Sequence, residues 1–266
     1  MSLKLRAPHN ERFSLELPAE IAQLGTPFNG SICTEDGRPF FIEHNIVRLV
    51  ENKRSFDTLA QLSNHISLTA QLYETLWRSR SISLLSGEDF SLNEEKKLLL
   101  DWTRPINGET ILDVGCSTAF YARNLQDFEP NTQTVALDLS FPMLQKAREK
   151  AVTEKINLFL IQADAQQIPF FNDTFDIVAM GGTLNEVSNT AQVLTEIRRV
   201  LRSNGRFFIM YLLKSTQLLG RVTQNSSSLA GLHFWTYKES KKLFEGAGFT
   251  LNRIETKGIV AFALLS

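Results

Sequence analysis

Ile111-Leu112-Asp113-Val114-Gly115-Cys116-Ser117-Thr118-Ala119-Phe120 is the stretch on which the reading of this chain turns. An apolar, β-favouring run ends in an acid and a glycine and then passes into residues that suit a helix, the pattern of a buried strand turning into a helix. In a doubly wound sheet, ligands bind beyond the carboxyl ends of the strands, where the first strand–helix turn lets them approach the backbone. Gly115, having no Cβ, meets that demand. An ordinary connecting turn reads the same way, so the motif needs support from its surroundings.

Two further acids supply it. Asp138 closes Thr134-Val135-Ala136-Leu137, and Asp164 closes Phe159-Leu160-Ile161-Gln162-Ala163. Acids at strand ends also serve as helix N-caps, and Asp138 ahead of Ser140-Phe141-Pro142 fits that use too. Three acids at three consecutive strand ends face one crevice, however, and suit a ligand that carries a ribose, an amino edge and an ammonium.

Working outward, strands are predicted near 110–115, 133–138, 156–162, 174–180, 206–212, 249–256 and 258–265. Helices are predicted near 119–127, 141–153, 190–202 and 237–246, with Asn204-Gly205 as the stop of the third and a further helix through Lys96–Leu100 ending before Pro105. The alternation implies an α/β, doubly wound, seven-stranded and mostly parallel sheet whose last strand is antiparallel. The chain divides near residue 90. Residues 1–90 form an N-terminal cap with a turn-rich start and helical periodicity over 55–85, and residues 91–266 form the ligand-binding domain.

Of the 266 residues, 43% are apolar and 21% charged, and 28 Lys plus Arg stand against 29 Asp plus Glu for a net charge of −1. That composition excludes a disordered or disulfide-stapled chain. The balance argues against duplex DNA or an anionic membrane as partner, since both need a basic excess. Cys33 and Cys116 have no CxxC or Cys/His spacing, so no metal site is expected. No apolar run suits a signal peptide or a membrane span, which reads as a cytoplasmic protein.

The motifs in order resemble those of class I S-adenosylmethionine-dependent methyltransferases, in the group containing the ubiquinone and menaquinone methyltransferases. LDxGCGTGxxxxxL is matched by LDVGCSTAFYARNL, GxDxSxxMLxxAxxK by ALDLSFPMLQKAREK, GDAxxLPFxDxSFDxV by QADAQQIPFFNDTFDIV, and ExxRVLxPGGxxxI by EIRRVLRSNGRFFI. The resemblance spans roughly residues 100–250 and implies S-adenosylmethionine as cofactor. It implies that Gly115, Cys116 and Ser117 offer backbone contacts and that Asp113 helps place the methionine end. Asp138 would take the ribose, Leu139 and Met143 the adenine, and Asp164 with the Ala165 backbone the adenine edge. Met180 and Gly181 would line the methionine moiety. Plain core packing explains Leu139 and Met143 equally well.

Ser117 and Ala119 stand where the family pattern has glycine. Ser117 falls where the backbone turns against the cofactor, so a strained or shifted turn is expected, and a non-catalytic S-adenosylmethionine-binding protein is the alternative reading. A nicotinamide-dependent dehydrogenase fits poorly. Its fingerprint needs G-x-G-x-x-G, whereas residues 115–120 read G-C-S-T-A-F, and Asp113 would repel a pyrophosphate.

A sulfonium methyl is already activated, so the protein's task is to hold an acceptor in line and exclude water. Where the acceptor must lose a proton, His233 and Tyr121 are the leading candidates, with Tyr211 and Glu186 behind them. Aromatic residues crowd the expected rim, which points to a small apolar or aromatic acceptor methylated at oxygen or carbon. Residues 1–90 resemble a degenerate zinc-ribbon module that keeps only Cys33. The polar segment Gly220–Tyr237 reads as a gate over the acceptor.

Overall fold

The computed structural model describes residues 3–7, 13–25, 27–50, 90–216, 224 and 231–266. The helical periodicity expected over 55–85 lies outside the described residues, as does most of the expected gate.

Strands β1 (Leu3–Arg6) and β2 (Ser14–Leu17) form a separate hairpin, while β3 (Gly30–Cys33), β4 (Pro39–Glu43) and β5 (Ile46–Arg48) form an antiparallel meander. Helix α1 (Leu92–Thr103) follows, then β6 (Thr110–Val114), α2 (Phe120–Phe128), β7 (Gln133–Asp138), α3 (Phe141–Glu154), β8 (Phe159–Gln162) and β9 (Phe175–Gly181). A 3-10 turn over Thr183–Asn185 leads to α4 (Thr190–Val200), β10 (Leu201–Leu212), α5 (Tyr237–Gly246), β11 (Leu251–Lys257) and β12 (Val260–Leu265).

All seven strands foreseen are present, in the order β11-β12-β10-β9-β6-β7-β8, with β12 antiparallel to both neighbours. The sheet does not stop there. Strand β5 pairs in parallel with β8, and β4 and β3 continue outward, so ten strands of the described residues share one sheet. Arg148 on α3 ties this extension down by donating to the Leu24 carbonyl at 3.0 Å and to Asn45 Oδ1 at 3.3 Å.

The central strands are apolar throughout because helices cover both faces. Successive residues serve opposite faces: Leu112 and Val114 join one core with Val178 and Ile209, and Ile111 joins another with Ile177 and Phe208. The predicted end of the third helix is corrected. Helix α4 stops at Val200, and Asn204-Gly205 lies inside β10, where the pairing with β9 is irregular between Leu201 and Arg206. A bulge takes up a turn-forming pair as readily as a helix terminus does.

Helix starts follow their capping residues. Ser91 and Glu94 form a reciprocal capping box on α1, and Thr236 with Glu239 forms another on α5. The Thr236 N–H and the Lys214 ammonium hold the Glu239 carboxyl at a pKa of about 2. The β1–β2 hairpin is fastened from below by α4. Arg199 forks onto both oxygens of Glu196 at 2.8 Å and also donates to the carbonyls of Ile168 and Phe170, while Arg6 N–H donates to the Pro169 carbonyl at 3.0 Å.

Candidate active site

At the carboxyl ends of β6, β7, β8 and β9 the chain forms a cleft that opens to solvent. The strand order reverses here, since β7 and β9 leave β6 on opposite sides, and a crevice at such a switch point is where open α/β sheets bind ligands.

The turn after β6 is built for close approach. Gly115 has φ +64°, and a Cβ on it would come within 2.2 Å of Thr183 Oγ1, whose hydroxyl donates to the Gly115 carbonyl at 3.0 Å. Ser117 and Ala119, the two departures from glycine, have φ +52° and +59°. The turn thus keeps the left-handed conformation that glycine favours while carrying side chains. Part of the compensation is visible: Ser117 N–H donates to Asp138 Oδ2 at 2.7 Å, and its hydroxyl lies 3.6 Å from Met143 Sδ.

Asp138 accepts a second main-chain bond on Oδ1, from Ser140 N–H at 2.8 Å. Ser140, not Asp138, is the N-cap of α3, its hydroxyl accepting from Met143 N–H. Burial pushes the Asp138 carboxyl up, against the pull of these N–H groups. Asp164 is fixed by Gln166 N–H, which donates to its Oδ1 at 2.8 Å.

Of the cofactor residues read from the sequence, Gly115, Ser117, Asp138, Leu139, Met143, Asp164, Ala165 and Gly181 line the cleft together. Asp113, Cys116 and Met180 stand behind its wall. Asp113 is buried and accepts from Ala122 N–H at 3.0 Å, so it holds the start of α2 against β6. Cys116 is buried beside the Asp113 and Asp138 charges, and burial above all raises its thiol pKa. Met180 belongs to the apolar core.

The expected acceptor-side groups separate. Tyr121 is 2% exposed, its hydroxyl donates to Glu95 Oε1 at 2.5 Å, and its ring lies under Gly181, where a Cβ would meet it at 2.8 Å. A base must reach its proton, and this placement sets the Tyr121 ring behind Gly181 as a support for the cleft wall. Tyr211 is buried and shares a 2.9 Å hydrogen bond with Ser240. His233 is exposed and its ring stacks on Trp235. Glu186 lines the cleft.

Thr183, Val187 and Asn185 were not singled out from the sequence. Gly181-Gly182-Thr183 after an apolar strand is the signal that would have marked the first, as a flexible strand end followed by a small hydroxyl. Buried Asn185 gathers three segments: its amide donates to the carbonyls of Leu212 and His233, and its Oδ1 accepts from Leu212 N–H.

Among the described residues the cleft lining carries three carboxylates, Asp138, Asp164 and Glu186, and no Lys, Arg or His. Such a lining suits a cation and opposes a pyrophosphate. A sulfonium cofactor with a ribose and an adenine fits this donor set, and a dinucleotide does not.

The family model described as a methyltransferase domain matches residues 112–209. Among curated relatives, malonyl-(acyl-carrier protein) O-methyltransferase of Legionella pneumophila is 37% identical over 36% of this chain and 33% of its own length. The demethylmenaquinone methyltransferase of Lactiplantibacillus plantarum is 29% identical over 52% of this chain and 69% of its own. The chain therefore spans a third of the first relative and about two thirds of the second. In fold it resembles an S-adenosylmethionine-dependent methyltransferase from Aquifex aeolicus, with a TM-score of 0.57 at 20% identity over 74% of this chain and 96% of that one. Residues 112–209 thus match a methyltransferase domain, with an acid-lined cleft at the switch point of a mostly parallel sheet and the fold seen in that S-adenosylmethionine-dependent methyltransferase.

Proposed function

We propose that this chain is a cytoplasmic enzyme that transfers a methyl group from S-adenosylmethionine to a small apolar or aromatic acceptor, at oxygen or carbon. The observation that carries the reading is the cleft lined by Asp138, Asp164 and Glu186 with no basic side chain among the described residues. When bound, the cofactor supplies a methyl group already activated on a sulfonium.

The chain's own residues then bind and orient. Asp138, held by two main-chain N–H groups, accepts from the ribose hydroxyls, Leu139 and Met143 cover the adenine, and Asp164 with the Ala165 backbone reads its edge. The turn Gly115-Cys116-Ser117, steadied by Asp113, receives the methionine end beside Gly181. On the acceptor side Glu186 is the group placed to take a proton, because it alone of the four candidate bases lines the cleft. His233 flanks that wall through the tie between its backbone and Asn185.

The apolar acceptor is supported by Val187, beside Glu186 in the lining, and by the quinone-related activity named for the Lactiplantibacillus relative. The test is incubation of the protein with labelled S-adenosylmethionine and a panel of phenols, quinols and small carboxylates. Transfer of one methyl to a phenol or quinol is the expected result. Cofactor binding without transfer to any acceptor in the panel or in cell extract would instead favour a non-catalytic binding protein.

A further inference from the structure

Arg48, Gln162 and Asp138 stand abreast at the carboxyl ends of β5, β8 and β7, because Gln162 is the register partner of Arg48 on one side and of Asp138 on the other. Gln162 is 7% exposed, and both ends of its amide are used. Oε1 accepts from Arg48 Nε at 3.1 Å, and Nε2 donates to the Leu139 carbonyl at 3.1 Å.

The Arg48 guanidinium is fixed on two further sides. Its Nη1 donates to Glu43 Oε2 at 2.8 Å, and its plane lies over the Phe141 ring with 4.6 Å to the centroid. One side chain of the N-terminal meander therefore grips the loop Asp138–Phe141 at two points: through Gln162 at Leu139, and directly at Phe141. Between those points lies Ser140, whose N–H holds the Asp138 carboxylate.

We propose that Arg48 and Gln162 are positioning residues for the cofactor, and that the three added strands set its affinity by bracing the Asp138–Phe141 loop before the ligand arrives. The inference rests on the reading that adenosine sits against Asp138 and Leu139. Its physical basis is preorganisation: a loop already fixed in its binding geometry loses less freedom when the ligand binds. A brace of two part-buried hydrogen bonds, one of them from a guanidinium, and one cation–π contact is strong enough to matter, since the loss of one such bond shifts an equilibrium by about tenfold.

The experiment is calorimetric titration of the full chain with S-adenosylhomocysteine and with 5′-methylthioadenosine, which share the adenosine and differ at the amino-acid end. Arg48→Met and Gln162→Leu are each expected to weaken both ligands by the same factor, on the order of tenfold. The double variant is expected to lose less than the product of the two single losses, because both variants remove the same Arg48–Gln162 bond. Arg48 is partly exposed, and melting temperatures recorded alongside separate a loss of stability from a loss of affinity. A role limited to holding β5 on the sheet would lower the melting temperature and leave both affinities unchanged. Affinities within twofold of wild type, or losses that multiply in the double variant, would overturn the brace while leaving the cofactor site in place. Failure of the wild-type chain to bind S-adenosylhomocysteine would overturn the site and the brace together.

Discussion

Ser117 and Asp138 are joined by a 2.7 Å hydrogen bond from the main-chain N–H of one to Oδ2 of the other, which locks the turn after β6 to the end of β7. The residue that departs from the family's glycine is thus also the residue that aims the carboxylate expected to hold the ribose.

Acid should weaken cofactor binding through Asp138. Burial raises its pKa above the ordinary 3.8, and hydroxyl donors from a ribose favour the ionised form, so affinity is expected to fall as pH drops through that raised value. In the ligand-free protein the sign is opposite. A raised folded-state pKa means that the native state holds the proton more tightly than the unfolded chain, so this residue's contribution to stability is present below pH 3.8 and is lost as pH rises through the folded value. Asp138→Asn should weaken S-adenosylhomocysteine binding by about 1–3 kcal/mol at neutral pH and abolish this part of the pH dependence. Calorimetry across pH 4–7 is the measurement, and an equally steep profile in the variant would remove Asp138 from the site.

Ser117→Gly and Ala119→Gly should differ although both relieve a left-handed backbone. Relief is worth about 1 kcal/mol, and the extra freedom of glycine in the unfolded chain takes back roughly half of it. Ser117 is partly exposed and should therefore gain about 0.5 kcal/mol, a rise of about 1–2 °C in melting temperature. Ala119 also gives up a fully buried methyl, worth about 0.8 kcal/mol, so its variant should be no more stable than wild type. Thermal melts showing the reverse ranking would contradict the account.

Gly115→Ala should destabilise by roughly 2–4 kcal/mol, combining left-handed strain with overlap on Thr183. Thr183→Ala removes the two nearest obstructing atoms and keeps the Cβ at 2.7 Å, so the double variant should recover part of the overlap and none of the strain. Denaturant titrations of the three variants test this, with equal losses in the single and double variants as the contrary outcome.

Glu186→Gln should lower turnover on an acceptor that must lose a proton by on the order of 10²-fold, while S-adenosylhomocysteine affinity changes by less than about twofold. His233→Ala should cost much less, since that ring is exposed and stacks on Trp235 outside the cleft lining. If His233→Ala were the more damaging of the two in steady-state kinetics, the base assignment would pass to it.

The strand–helix alternation from Thr110 onward, and the cluster at its carboxyl ends, could be read from the sequence because parallel strands covered on both faces are written as short apolar runs, each closed by its acid or glycine. What could not be read is partnership at a distance. Strand β5 has three residues, Ile46–Arg48, and nothing within them names Gln162, which lies 114 positions away, as the partner of Arg48. Tyr121 shows a related limit. Its position after the Gly115 turn faces the crevice in sequence terms, but a buried acid on α1, Glu95, draws its hydroxyl away. Asn204-Gly205 shows the limit of local turn chemistry, since the same pair serves a bulge or a helix stop.

A sheet that runs from β11 to β3 has consequences for anyone who shortens the chain. Strand β8, Phe159-Leu160-Ile161-Gln162, carries no charge and no proline, and in the intact protein β5 hides its main-chain donors and acceptors. Cut at residue 90, the remainder would keep every acid of the cleft yet expose an apolar, unguarded strand of the kind that recruits other chains. Light scattering and size-exclusion chromatography should find such a fragment self-associating where the full chain stays dispersed. The N-terminal strands would then matter to solubility before they mattered to catalysis.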